Sequence, residues 1–282
     1  MKSLLRYPGG KSRALKHIIP YFPKDMTEMV SPFFGGGSIE IHYAAKGVRV
    51  HGYDSFEPLV NFWQHVLDDS EGLAYMVEEM FHPCTKDSFK QYQRKQGWTH
   101  MDNTHMLWRE MRACMYYALN RSSFSGATLS GGYSQQAADK RFTQSSIDRL
   151  RNFSCPFLTV KQADFAESLR RHNDETFIYA DPPYLLENST LYGERGSTHK
   201  DFDHERFAEE IKKKNNWVIS YNPHPEVLEL YKDYEIVYPE WAYGMHSGKK
   251  RKGSTEKVRP KKSQEILILN VKENDNALFI DD

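Results

Sequence analysis

Short apolar runs separated by amphipathic segments dominate both ends of the chain. The runs have the length of buried strands and occupy residues 29–34, 48–53, 157–160, 177–180 and 217–220. Segments with apolar residues at helical spacing lie at 11–21, 39–45 and 204–214. Two further apolar runs, 236–238 and 266–269, predict a terminal strand pair around a long basic loop. Strand, glycine turn, helix and strand in succession form a βαβ unit, so the ends predict an α/β fold with helices on both faces of the sheet.

The middle of the chain has a different pattern. Residues 57–121 carry apolar positions at helical spacing with no strong strand between them, and predict helices at 59–67, 72–81, 89–96 and 106–119. Residues 122–134 are rich in Ser and Gly, which predicts a flexible loop or an irregular hairpin. We therefore expect one α/β domain built from residues 1–56 and 155–282, with a mostly helical insertion at 57–154.

Composition narrows the class of protein. The chain has 282 residues, of which 39% are apolar and 13% aromatic, and such a composition argues against disorder. No apolar stretch approaches the roughly 20 residues of a membrane span, and the N-terminus has no apolar signal core. The three cysteines form no CxxC pair, so we expect reduced thiols, no zinc site and no other metal. These features together predict a cytoplasmic protein.

The net charge is zero, from 38 Lys+Arg and 38 Asp+Glu, which at first argues against a polyanionic partner. The distribution changes that conclusion. Residues 84–151 hold 11 basic and 5 acidic residues, a net of +6, and residues 249–262 hold 8 basic residues against one Glu, a net of +7. Each basic segment has the charge to hold phosphates.

Asp181-Pro182-Pro183-Tyr184 directly follows the apolar run at 177–180. Two prolines cannot continue a strand ladder, so the chain leaves the sheet in a rigid turn at the carboxyl end of a strand. That edge is where open α/β sheets bind ligands. The turn thus predicts a site in which an acid and an aromatic ring are held on a stiff platform.

A second candidate site lies after the first strand, in Phe34-Gly35-Gly36-Gly37-Ser38. Glycines between a strand and a helix let the backbone approach a ligand closely, and the spacing differs from the G-x-G-x-x-G of dinucleotide sites. Asp54 ends the next strand, where an acid can bind ribose hydroxyls or can cap the following helix. Gly10-Lys11-Ser12 is not a P-loop, because Leu5 stands where a P-loop needs its first glycine.

Three motifs in this order resemble those of Dam-type (D12 class) DNA adenine-N6 methyltransferases. They are Arg6-Tyr7-Pro8-Gly9-Gly10-Lys11, Phe33-Phe34-Gly35-Gly36-Gly37-Ser38 and Asp181-Pro182-Pro183-Tyr184. The resemblance covers nearly the whole chain. It implies a Rossmann-like methyltransferase sheet with a helical target-recognition insertion, S-adenosylmethionine as the cofactor, and duplex DNA as the partner of a monomer or weak dimer of prokaryotic or phage origin.

The resemblance also implies roles for single residues. Tyr7 and Lys11 would border the cofactor pocket, and Asp164 with Phe165 would contact the cofactor's adenine, although Asp164 can equally cap the helix that follows. Asp181 and the carbonyl of Pro182 would accept the two N–H bonds of the target amino group, and Tyr184 would stack on the extruded base.

The DNA-contacting residues follow from the same resemblance and from charge. Asn120-Arg121 resembles the pair that opens the DNA-contacting hairpin of the family, and the sequence departs from the family's pattern after Arg121. Phe124 and Tyr133 are candidates for a wedge in the duplex, or for packing within their own loop. The basic loop adds Lys249, Lys250, Arg251 and Lys252. Methylation of cytosine N4 or of RNA, and a catalytically silent DNA-binding protein, stay open as alternatives.

Overall fold

The computed structural model describes residues 1–96, 106–185, 202–239 and 265–271. Its sheet has seven strands in the order β3-β2-β1-β4-β5-β7-β6. β7 runs antiparallel to β5 and β6, and the other neighbours are parallel. The strands are β1 Glu28–Ser31, β2 Arg49–Asp54, β3 Leu158–Gln162, β4 Phe177–Ala180, β5 Trp217–Tyr221, β6 Glu235–Val237 and β7 Ile266–Asn270.

Helices connect these strands and cover both faces of the sheet. They are α1 Leu15–Ile18, α2 Ser38–Ala44, α3 Glu57–Asp68, α4 Ser70–Met76, α5 Lys86–Gln96, α6 Met106–Ser122, α7 Gln135–Arg141, α8 Gln144–Arg151, α9 Phe165–Arg170, α10 His204–Ile211 and α11 Pro225–Leu230. Short 3₁₀ turns follow α1 and α6, and a π-helical turn follows α4. The predicted α/β class is confirmed, and the apolar runs at both ends of the chain are the strands of the sheet.

The central strands are buried on both faces because their side chains alternate between two apolar cores. In β1, Met29 belongs to the core shared with α2, α3 and the other helices of the 57–154 segment, whereas Val30 faces the core shared with α9, α10 and α11. In β4, Tyr179 and Ile178 divide in the same way. A parallel sheet covered on both sides accounts for strands that appear in the sequence as continuous apolar runs.

The middle segment is helical, as predicted, but α3 packs against two partners. It lies against β2 and β3 on one side and against α6 on the other. One core cluster therefore runs without interruption from the sheet into the helices. The boundary at residue 57 stays a prediction. In the loop at 122–134, Ser123 and Tyr133 form a single antiparallel bridge, with a 3₁₀ turn at Phe124–Gly126 between them.

Strand order places the site. β1 and β4 are neighbours in the sheet although β2, β3 and the helices α2 to α9 lie between them in sequence. The chain therefore reverses direction across the sheet between these two strands, which is where open α/β sheets form a ligand crevice. Within the described ranges, no helix is long and apolar enough to cross a membrane.

Candidate active site

A cleft of about 450 Å³ opens at the carboxyl ends of β1, β2 and β4. The predicted cofactor and catalytic residues all line it, although they come from five separate segments of the chain. These residues are Tyr7, Lys11, Phe34, Gly35, Gly36, Gly37, Ser38, Asp54, Asp164, Phe165, Asp181, Pro182, Pro183 and Tyr184.

The glycine loop forms the floor of the cleft and is packed against Tyr7. Gly35 and Gly37 have φ values of +49° and +65°, in the left-handed region that favours glycine. A Cβ on Gly36 would lie 2.8 Å from the Cβ of Tyr7, and one on Gly35 would lie 2.9 Å from its ring. Side chains at these positions would push the loop away from Tyr7, so the glycines allow the close packing of the loop against that ring.

Asp54 holds the glycine loop to the end of β2. Its Oδ2 accepts a hydrogen bond from the Gly35 amide at 3.0 Å, and its Oδ1 accepts one from the Phe56 amide at 2.9 Å. Burial raises the pKa of Asp54, and these two amides oppose that rise. Its carboxylate has further lone pairs, so it is able to accept bonds from a ligand's hydroxyl groups.

Asp164 has the capping role that the sequence left open. Its Oδ1 accepts from the Ala166 amide at 2.9 Å, which caps α9. Arg206 donates to the same oxygen at 2.8 Å, and its guanidinium lies 4.7 Å from the centre of the Phe165 ring. Phe165, Phe33 and Phe202 form an aromatic wall beside this ion pair. The wall is suited to the flat face of an aromatic ligand.

Lys11 is the polar centre of the catalytic end of the cleft. The side chain is 4% exposed. Its Nζ lies 2.7 Å from Oδ1 of Asp181 and donates to the Tyr184 hydroxyl at 2.9 Å and to the Gly9 carbonyl at 3.1 Å. The carboxylate of Glu265 is 3.7 Å away. The N-terminal motif thus fixes both polar side chains of the Asp-Pro-Pro-Tyr turn.

The charges and the burial of this cluster set the pKa of Asp181. Burial raises the pKa of Asp181 to about 6; Lys11 opposes that rise, and Glu265 adds to it. Burial alone would lower the pKa of Lys11, but the neighbouring carboxylates outweigh it and the pKa is raised. Asp181 is therefore mainly ionised at neutral pH, and Lys11 is its counter-ion.

Two acids of the cleft were not found from the sequence. Glu265 directly precedes β7, and Glu40 lies in the first turn of α2, where its Oε1 accepts from Oγ of Ser31 at 2.8 Å. Burial raises the pKa of Glu40 to about 7. Glu40 could have been predicted from the sequence, because it is a glutamate directly after the glycine loop and stands between two apolar residues. Glu265 had none, because it follows a long polar segment.

The structure places the Asn120 side chain inside the protein, and its contact with DNA stays a prediction. Asn120 is fully buried. Its Oδ1 accepts from the Arg6 amide at 2.9 Å, and its Nδ2 donates to the Arg6 carbonyl at 2.8 Å and to Oγ1 of Thr128 at 2.9 Å. Since its amide is used inside the protein, Asn120 positions the N-terminal motif against the loop at 122–134.

Arg121 also points into the protein, and its contact with DNA likewise stays a prediction. Its side chain is buried, and both Nε and Nη2 donate to the carbonyl of Arg141, the last residue of α7. Burial lowers the pKa of Arg121 to about 10. The guanidinium thus satisfies the carboxyl end of a helix instead of facing solvent, where a guanine would bind.

We expect the Asn120→Ala substitution to destabilise the fold by about 2–4 kcal/mol, because it leaves buried backbone groups of Arg6 without partners. Chemical denaturation measures this loss. Phe124→Ala is the matched control: Phe124 is 70% exposed, so its removal should change stability by less than about 0.5 kcal/mol. Unchanged stability of the Asn120 variant, combined with an altered preference for DNA sequence, would instead support a direct contact of Asn120 with DNA.

The remaining predicted DNA contacts divide into three groups. Phe124 is exposed, next to the Ser123–Tyr133 bridge. Tyr133 packs on Phe89 and donates to the Cys84 carbonyl at 3.3 Å, which favours the packing role for it. Lys249, Lys250, Arg251 and Lys252 lie outside the described residues.

Comparison with known proteins gives the family that the chain resembles. A sequence model described as D12 class N6 adenine-specific DNA methyltransferase matches residues 7–245. The Type II methyltransferase M1.LlaDCHI of Lactococcus lactis subsp. cremoris is 24% identical over 251 residues, which cover 84% of this chain and 86% of that protein. The modification methylase StsI of Streptococcus sanguinis is 25% identical over 303 aligned positions, covering 96% of this chain and 43% of that protein.

Proposed function

The chain belongs to the D12 class N6 adenine-specific DNA methyltransferases, and we propose that it transfers the methyl group of S-adenosylmethionine to the N6 amino nitrogen of an adenine extruded from duplex DNA. The observation that carries the proposal is the position of Asp181. Its carboxylate stands on a rigid Pro-Pro turn at the end of β4, in the same cleft as the glycine loop after β1.

The cleft fits S-adenosylmethionine, which supplies a sulfonium-activated methyl group when bound. The glycine loop lines the cleft, and Asp54 offers acceptor capacity for ribose hydroxyls at the end of β2. The wall of Phe33, Phe165 and Phe202 offers an apolar surface for a purine. Lys11 borders the same cleft and is the counter-ion of Asp181.

The other half of the cleft suits the target amino group. An exocyclic amino nitrogen is a weak nucleophile, because its lone pair is conjugated with the ring. Asp181 and the carbonyl of Pro182 can accept its two N–H bonds, which localises the lone pair and orients it for in-line attack. Tyr184 is held by Lys11 at 2.9 Å and is placed to stack on the base. The base has to leave the duplex to reach this depth.

We propose that phosphates bind on a basic face of α5. Lys86, Lys90 and Arg94 recur every fourth residue of α5 and are exposed. Gln93, on the same helix, donates to the carbonyls of Leu129 and Gly131, so this face adjoins the loop that carries Phe124. Arg109, Arg112 and Arg121 of the same segment have internal partners, so α5 supplies much of the exposed charge.

Replacing Lys86, Lys90 and Arg94 together by Gln should weaken DNA binding and reduce the slope of log K against log salt by about 2 to 3, since each phosphate contact contributes about 0.9. Fluorescence anisotropy at several salt concentrations measures the slope. A control variant with Lys212, Lys213 and Lys232 changed to Gln removes the same charge from exposed positions just after α10 and α11. Equal slopes in the two variants would refute the assignment.

The proposed function is tested by incubating the purified protein with S-adenosylmethionine carrying a labelled methyl group, and with duplex DNA or RNA of matched sequence. We expect label in the duplex DNA, and calorimetric binding of the cofactor without DNA. Label in RNA alone would show that RNA is the substrate. If the protein neither binds the cofactor nor labels the DNA, the result would favour a catalytically silent DNA-binding protein.

A further inference from the structure

A cluster of two histidines and a glutamate lies away from the cleft. Glu28, His51 and His172 each offer a ligand atom, and these atoms lie within 4.8 Å of one another. All three side chains are partly exposed, with 33% exposure for Glu28 and 22% for His51. None of the three lines the cleft. The cluster is therefore separate from the proposed active site.

Strand register brings the three residues together. Glu28 begins β1, and His51 of β2 is opposite Val30, so Glu28 and His51 project diagonally from the same face of the sheet. His172 comes two residues after α9, where the chain returns to the starting end of the parallel strands. The cluster thus joins three segments at the amino end of β1, opposite the edge that carries the catalytic turn.

Neighbouring polar groups hold both imidazoles in place. Nε2 of His51 lies 2.7 Å from Oε1 of Glu28, and its Nδ1 lies 3.3 Å from Oγ1 of Thr159. Nε2 of His172 lies 2.9 Å from the Tyr53 hydroxyl, and the two imidazole rings are 4.8 Å apart. Metal-binding histidines characteristically have such a polar partner on the second ring nitrogen, because it fixes the tautomer and the orientation of the ring.

We propose that Glu28, His51 and His172 form a binding site for a divalent transition metal ion of the zinc class, with water in the fourth position. Two imidazoles and one carboxylate are a ligand set that Zn²⁺ prefers in four-coordinate sites.

A metal ion here would link β1 and β2 to the segment that enters β4. Such a link stabilises the folded sheet, because the three ligands meet only in the folded chain. It does not enter the methyl-transfer chemistry, since the ligands lie at the opposite end of the strands. The sequence predicted no metal, because its only criterion was cysteine spacing and these three ligands come from separate segments.

Titration of chelator-treated full-length protein with ZnCl₂ in a calorimeter tests the site. We expect one saturable site per chain, and at least a tenfold weaker affinity after His172→Ala or Glu28→Gln. His65→Ala is the control, because His65 bonds only within α3, to the Asn61 carbonyl. Zn²⁺ should raise the Tm of the unaltered protein by at least about 2 °C and leave that of Glu28→Gln unchanged.

Two results would overturn the metal site. One is the absence of stoichiometric binding to the unaltered protein. The other is binding that survives in His172→Ala and Glu28→Gln as well as it does in His65→Ala. Glu28→Gln changes one atom of a partly exposed side chain, so we expect this variant to fold. It therefore tests the site even if the His172→Ala variant fails to fold. Its methyl-transfer rate without added metal should equal that of the unaltered protein.

Discussion

The Asp181→Ala variant should lose at least about 100- to 1,000-fold in kcat for methyl transfer while keeping its fold. Asp181 is the one carboxylate on the Pro-Pro turn, so without it an incoming amino group loses its charged acceptor. Removing one preorganised group that acts on developing charge typically costs this much. Lys11 keeps Glu265 within 3.7 Å, so the variant does not leave a buried cation without a counter-ion. Single-turnover kinetics with labelled cofactor measures the rate.

Two comparisons make this result specific to Asp181. Asp181→Asn keeps one acceptor oxygen and removes the charge, so we expect a rate between those of Asp181→Ala and the unaltered protein. Calorimetric affinity for S-adenosylmethionine should fall much less than kcat in both variants. A rate within about threefold of normal in Asp181→Ala would show that the carboxylate takes no part in the reaction.

Lys11→Met should shift the pH dependence of methyl transfer and destabilise the protein. The reaction needs ionised Asp181, so in the unaltered protein the rate should fall as pH drops through the pKa of Asp181, about 6. Lys11 lowers that pKa, so its removal raises the pKa and moves the acid limb of the pH–rate profile to higher pH. Buried carboxylates left without their cation should also cost about 3–5 kcal/mol of stability.

The control for this variant is Lys213→Met, because Lys213 is 63% exposed and pairs with Glu210 of α10, far from Asp181 in the cleft wall. It should leave both the pH profile and the Tm unchanged. Rates from pH 5 to 9 and thermal unfolding at pH 7 separate the two effects. If Lys11→Met keeps the acid midpoint of the unaltered protein, the ion pair with Asp181 does not control the ionisation of the carboxylate.

The sequence predicted the features that depend on local chemistry. Apolar runs became strands, because a sheet covered on both faces requires continuous apolar residues. The Pro-Pro turn and the glycine loop impose their own backbone conformations, so Asp181 and Gly35 were identified without knowledge of distant contacts. The strand order then placed both in one cleft, which the motif order predicted only through the family resemblance.

The contacts that the sequence did not predict depend on tertiary partners. Asn120 and Arg121 are polar residues at the end of α6, and nothing local distinguishes a side chain that faces DNA from one that bonds Arg6 or Arg141. The ion pair of Lys11 with Asp181 joins residues 170 positions apart, and Glu265 joins it from the last described strand pair. Such pairs form only once β1, β4 and β7 have taken their places in the sheet.

The proposed function requires that the N6 nitrogen of adenine receives the methyl group. The most direct measurement is to incubate duplex DNA with the protein and S-adenosylmethionine, digest the DNA to nucleosides, and identify the modified nucleoside by mass spectrometry. We expect N6-methyladenine from the unaltered protein and none from the Asp181→Ala variant. N4-methylcytosine as the product, or N6-methyladenine formed equally well by Asp181→Ala, would contradict this expectation.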